Sequence, residues 1–208
     1  MDGAVPRATY RLQFTSHFTF DDAAAIVPYL KKLGITHLYA SPFMKARRGS
    51  THGYDIVDHN VISPELGGED GFNRLSTVLA AHGIGLILDF VPNHIGVHYA
   101  DNAWWLDVLE WGPKSAFAEF FDIDWDVLPF RTKPGLLLPI LGAAYGVSLT
   151  QGEIELKYDP RDGSFSAWYF EHRLPIAPER YSDILKAITG ELPQGSARSD
   201  LLAISERY

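Results

Sequence analysis

Residues 85–94 read GLILDFVPNH, an apolar run that passes straight into a turn carrying Asp89, Asn93 and His94. A short run without polar alternation fits a strand covered on both faces, as in a parallel sheet. The polar side chains behind it then emerge at the C-terminal end of that strand, where parallel α/β folds place their sites. Asp89 can hold a neighbouring side chain or a cation. Asn93 can stiffen the turn, and His94 can bond hydroxyl groups as a neutral imidazole or as a cation. The same letters also describe a strand end followed by a plain Pro/Asn turn, so the neighbouring sequence has to decide.

Upstream the rhythm repeats. TYRLQF (9–14) and ITHLYA (35–40) are short aliphatic and aromatic mixtures that read as strands. Between them, residues 20–33 place Ile26, Leu30 and Leu33 at helical spacing. Asp21 and Asp22 sit at the helix's positive end, and Gly34 lies just past its last apolar residue. Pro28 predicts a kink or a late start. A second helix is expected from about Glu69 to His82, with Phe72, Leu75, Val78 and Leu79 on one face and Gly83 at its end. Strand, helix, strand, helix, strand is the order of an α/β protein. Periodicity does not choose between an open sheet and a closed barrel. The lack of GxGxxG and GxxxxGK[ST] removes support for a nucleotide-binding doubly wound sheet.

Residues 47–68, RRGSTHGYDIVDHNVISPELGG, are too long for a plain connection. HGYD at 52–55 sets an imidazole, a phenol and a carboxylate beside a glycine that permits a tight turn. Donors, acceptors and a flat ring are the pieces a sugar subsite needs. Ordinary loop chemistry is the competing reading of the same four residues.

Composition narrows the classes. The net charge of −8 argues against binding to nucleic acid or an anionic membrane. Without cysteine there is no disulfide, thiolate ligand or thiol nucleophile. The opening MDGAVPRATYRLQF has no basic stretch before an apolar run, and no window is apolar enough to span a bilayer. A cytoplasmic location is the expectation. The five Trp are read as core anchors more than as stacking platforms.

The βαβαβ start, with HGYD after the second strand and DFVPNH at the end of the third, resembles the α-amylase superfamily of retaining α-glucan enzymes. ATYRLQF, LGITHLYASPF, GSTHGYDIVDHNVISPELGG, FFDIDW and YFEHRLPIAP resemble, within it, the maltooligosyltrehalose synthase family. The resemblance implies a partial (β/α)8 TIM barrel over residues 1–94 and an α+β excursion over 95–208, between barrel strands three and four. It implies that His52, Tyr54 and His94 line the subsite of the sugar whose bond is cleaved, with Tyr54 stacking on the ring. Asp55 and Asp89 are then structural partners of charged residues, and Asn93 completes the set.

The implied reaction turns the reducing-end α-1,4 bond of a maltooligosaccharide into an α,α-1,1 bond, with no organic cofactor. Alternatives are another hydrolase of the superfamily, such as an α-amylase or a maltooligosyltrehalose trehalohydrolase, or a glucan-binding module. The family's catalytic carboxylates follow later strands, and nothing past DFVPNH matches them. Asp122, Asp124, Asp126, Glu153 and Glu171 lack the matching context, so no catalytic residue is assigned. The remainder of the same polypeptide is the expected partner, beside the glucan. Asn93 resembles a position that helps hold calcium in some amylases, yet no carboxylate cluster accompanies it, so no metal is expected.

Within the excursion, residues 102–112 read as a helix, 153–159 and 164–170 as a hairpin, 183–188 as helical, and 191–200 as a polar linker. A barrel needs eight strands and about 250 residues, whereas three barrel strands are visible here.

Overall fold

A computed structural model describes residues 5–97, 99–126 and 135–206. The first four residues of the stretch read as lacking a leader lie outside them. The chain forms two compact units, Met1–Val97 and His98–Tyr208, and each is described by itself.

The first unit is α/β. Its elements are β1 (Thr9–Leu12), α1 (Phe20–Lys32), β2 (His37–Ala40), β3 (Met44–Ala46), β4 (Ile56–Ile62), α2 (Gly68–Ala81) and β5 (Gly85–Leu88). Strands β1, β2 and β5 form a parallel sheet in that order, with Arg11 opposite Tyr39 and Tyr39 opposite Ile87. Alternation along each strand sends Leu12, Leu38 and Ala40 to one face. There they join Phe20, Ala23, Val27 and Leu30 of α1 and Leu75 and Leu79 of α2 in one buried core. Each of the Leu, Val and Phe side chains contributes roughly 1.5–3 kcal/mol on burial.

Helix α1 starts where Asp22 accepts from the backbone N–H and the hydroxyl of Thr19, each at 2.8 Å. These bonds hold the Asp22 carboxyl below the usual carboxylate range. The helix runs through Pro28 to Lys32 and does not start late. The proline removes one backbone bond, and complete burial of Val27 and Leu30 on either side keeps the turn in place.

One expectation needs correction here, and another is filled in. The run 85–90 is not covered on both faces: Leu88 is 53% and Phe90 51% exposed. The helices pack on one face only, and among the described residues β5 pairs with β2 alone. The long segment 47–68 is also more than a loop. Strands β3 and β4 pair antiparallel with irregular register, Lys45 opposite Asp58 and Ala46 opposite Ile56, so HGYD lies in the connection between two strands.

The second unit contains α3 (Ala103–Trp111), α4 (Tyr145–Thr150), β6 (Ile154–Asp159), β7 (Ser164–Tyr169), β8 (His172–Pro175), α5 (Tyr181–Glu191) and α6 (Ser196–Ser205). The hairpin gains a third antiparallel strand, giving the order β6-β7-β8. With four residues and a terminal proline, β8 carries little sequence signal. The expected linker 191–200 is corrected as well, since α6 begins at Ser196. Leu201 anchors it by packing against the cluster of Phe165, Tyr181 and Leu185. Of the five Trp, only Trp105 is classed as buried; Trp111 is 43% exposed and Trp104 stacks on Phe117 with planes 9° apart.

Gly85 lies opposite His37, and a Cβ built there falls 2.3 Å from the imidazole Cδ2. Gly85→Ala is expected to cost about 1–3 kcal/mol through this overpacking, read as a lower Tm. An unchanged Tm would show that His37 moves aside freely.

Candidate functional site

Asp89 follows β5 directly, and its backbone N–H donates to the Ala40 carbonyl at 3.0 Å, which continues the ladder for one more residue. Two positions beyond Ile87, its side chain shares the face that carries Tyr39 and Arg11, opposite the helices. One carboxylate oxygen, Oδ2, gathers the neighbours. The Tyr54 hydroxyl donates to it at 2.5 Å and the Tyr39 hydroxyl at 3.1 Å, while Arg11 Nη2 stands 3.9 Å away. Arg11 also lies over the Tyr39 ring at 5.7 Å and reaches the Tyr54 hydroxyl at 3.5 Å. The Asp89 side chain is only 12% exposed, so these donors replace water. Hydrogen bonding to Asp89, followed by burial, raises the Tyr39 phenol above its ordinary value.

Tyr54 comes from the tip of the β3–β4 arm. Gly53 has φ +78°, and a Cβ there would lie 2.4 Å from the Pro42 carbonyl oxygen, so only glycine lets the turn press this close. The Ser50 hydroxyl donates to Asp55 and accepts from the Gly53 N–H at 3.1 Å. Asp55 also faces Arg47 at 3.7 Å and His52 at 3.9 Å. The His52 and Tyr54 rings stack at 6.1 Å, and His52 Nδ1 accepts from the Tyr54 N–H at 3.0 Å.

His94 is exposed, yet both ring nitrogens face the chain. Nε2 lies 3.0 Å from the Tyr54 carbonyl, which can only accept, so Nε2 carries a proton. Nδ1 lies 3.1 Å from the side-chain oxygen of Asn93. His94 therefore ties the turn after β5 to the HGYD arm. All six residues singled out in the sequence lie in the first unit, and Tyr54 links two groups of them. Tyr54 and Asp89 meet directly, His52 and Asp55 brace the arm, and Asn93 touches the others only through His94. Among the described residues, no three His, Asp or Glu side chains approach closely enough to share a metal ion, and no helix is long and apolar enough to cross a membrane.

Arg11, Gln13 and Tyr39 were not singled out from sequence. Each is a polar group within or just after an apolar strand, and that misfit is the signal that finds them. Gln13 accepts from Arg11 Nη1 at 2.9 Å through its side-chain oxygen. Its amide nitrogen lies 3.2 Å from the His52 carbonyl and 3.4 Å from that of Thr51.

The charge arrangement predicts a titration. Asp89→Asn removes the negative charge that keeps Tyr39 protonated, so Tyr39 is expected to ionise at lower pH, nearer the ordinary value of about 10. Phenolate absorbance, differenced against Asp89→Asn/Tyr39→Phe, measures it; no downward shift would remove Asp89 as the cause.

Comparison with known proteins follows the same lines. A putative maltooligosyl trehalose synthase of Mycobacterium tuberculosis is 45% identical over 170 residues, an alignment that covers 75% of this chain and 22% of that protein. A maltogenic alpha-amylase of Bacillus acidopullulyticus is 34% identical over 124 residues, covering 59% and 20%. The solved structure of maltooligosyltrehalose synthase from Arthrobacter ramosus superposes with a TM-score of 0.72 at 42% identity, covering 83% of this chain and 21% of that one. The chain thus spans about a fifth of the length of these relatives. The family model for the α-amylase catalytic domain matches residues 24–134, 111 of the 208, taking in the HGYD arm and the turn after β5; the chain belongs to the α-amylase family.

Proposed function

We propose that this chain is the N-terminal portion of an intramolecular transglycosylase that converts the reducing-end α-1,4 bond of a maltooligosaccharide into an α,α-1,1 bond. One observation carries the reading: a buried carboxylate, Asp89, collects Arg11, Tyr39 and Tyr54 at the C-terminal ends of sequential parallel strands, beside an arm that carries His52 and Asp55. The relatives named maltooligosyltrehalose synthases, at 42–45% identity, favour this activity over others of the family.

Strand order supports the finer architecture. Three parallel strands lie side by side in chain order, as the first three of a (β/α)8 barrel do; a doubly wound sheet opens in the same order, and the α-amylase family match favours the barrel. The second unit, which starts at His98, is read as the excursion after the third barrel strand.

In this reading the chain binds and orients. Tyr54, held at its hydroxyl by Asp89, presents a fixed ring face to a pyranose, while His52 and Asp55 offer a donor and an acceptor at the rim. Asp89 and Arg11 offset one another's charge, so the surface beside Tyr54 suits an uncharged glucan. A retaining mechanism also requires a nucleophile and an acid/base carboxyl about 5 Å apart. Those two groups are assigned to the remainder of the polypeptide, which is the partner this reading implies. No organic cofactor is required, and neither nucleic acid nor membrane has a place in it; the expected location is cytoplasmic.

The similarity to a maltogenic alpha-amylase keeps hydrolysis as the second reading. Products separate the two. The full-length protein given maltopentaose is expected to remove reducing ends without releasing free sugar. Tyr54→Ala is expected to lower kcat/KM about a hundredfold, the scale of a misplaced reacting group. A rise in reducing sugar would assign hydrolysis instead. Residues 1–208 expressed alone are expected to give no turnover of maltopentaose, and detectable turnover would place the bond-breaking carboxyls within them.

A further inference from the structure

The HGYD arm has a third support besides Pro42 and Ser50, and it comes from the first strand. We infer that Gln13 is a positioning residue that sets the height of the arm above the sheet, and so the place of Tyr54 in the site. The inference rests on the reading of that site as a glucan subsite.

The chemistry of one side chain carries it. Gln13 stands one residue beyond β1, partly buried, between Arg11 and the arm. Arg11 Nη1 can only donate, so the 2.9 Å contact fixes which end of the Gln13 amide is oxygen. The NH2 group must then point the other way, toward the carbonyls of His52 at 3.2 Å and Thr51 at 3.4 Å, with that of Phe14 at 3.3 Å. Its two hydrogens are shared among these three oxygens. Neither the Thr51 nor the His52 carbonyl accepts from a backbone N–H among the described residues, and the Gln13 amide reaches both. The two carbonyls immediately precede Gly53, whose φ of +78° turns the chain toward Tyr54.

Arg11 links this support to the reacting side. Its other terminal nitrogen, Nη2, faces Tyr54 and Asp89 at 3.5 and 3.9 Å. One guanidinium therefore registers the Gln13 amide against the Tyr54–Asp89 pair, and the amide registers the arm's backbone. Gln13 touches no substrate in this arrangement; it acts through the backbone that carries His52 and Tyr54.

Two variants of the full-length protein test this. Gln13→Glu keeps the length and the acceptor for Arg11 while replacing the two donors with a repelling oxygen. Gln13→Leu removes both functions. With maltopentaose, each is expected to lower kcat by about tenfold or more, with KM changing less than about threefold because the longer part of the glucan binds elsewhere. The share of turnovers that end in free reducing sugar is expected to rise, since a displaced Tyr54 leaves room for water. An unchanged kcat and product ratio in a folded variant, shown by an unchanged Tm, would overturn the inference. If one variant fails to fold, the other decides. If the full-length wild type releases only reducing sugar, the mutase reading fails, and the variant-to-wild-type ratio of hydrolysis still judges Gln13. If the wild type turns over nothing, hydrogen exchange at the amides of Gly53 and Tyr54 judges it: faster exchange in the variants is expected of an arm that has lost its support, and unchanged exchange counts against.

Discussion

A carboxylate that is nearly nine-tenths shielded from water keeps its charge only when neighbours supply hydrogen bonds or positive charge in place of solvent. Asp89 meets that requirement with groups from three separate places in the chain: Arg11 on β1, Tyr39 on β2 and Tyr54 on the β3–β4 arm. The sheet register brings the first two within reach, because Arg11, Tyr39 and Ile87 stand side by side and Asp89 lies two positions further along the same face. A slip of one residue in either pairing would turn that polar set into the helix-packed core and expose Leu12 and Leu38. The core and the site therefore depend on the same alignment.

The helices were legible from sequence because burial on one face leaves a period, and Leu75 and Leu79 show it; in α1 the buried face is Val27 and Leu30, whereas Leu33, read as part of it, is exposed. The strands were legible as short apolar runs. Pro28 did not delay the start of α1, because the burial of Val27 and Leu30 offsets the cost of the proline. Strand β4, IVDHNVI, escaped notice because only Ile56 and Val57 are buried and the rest is partly or fully exposed without alternation. Helix α6 escaped because its first turns, SARSD, are polar and the apolar contact with the cluster comes only after them, from Leu201. The exposure of Leu88 and Phe90 was also hidden, because an apolar letter does not say what covers it.

The site was half legible. Tyr54, Asp55, Asp89 and His94 stand in motifs that resemble a family and can be quoted. Arg11, Gln13 and Tyr39 stand in strands, where a polar residue has no meaning until the register is known and the two faces can be told apart. His94 illustrates the other limit: an imidazole in a loop reads as a ligand for hydroxyls, whereas here its Nε2 proton is bonded to the Tyr54 carbonyl. Sequence names the chemistry of a side chain, and folding decides what is left of it for a visitor.

The tether on the Tyr54 hydroxyl also bears on when ordering takes place. A loose aromatic side chain loses rotamer freedom as it closes on a ligand, a loss of about 0.5–1.5 kcal/mol for an immobilised side chain. Tyr54 loses that freedom during folding, when its hydroxyl meets Asp89, and little is left to lose later. The Tyr54 ring is thus ordered with the fold, and its entropy is settled with that of the sheet beneath it. If the proposed function holds, anything that softens the sheet, even at a distance, makes a ligand on that ring harder to hold.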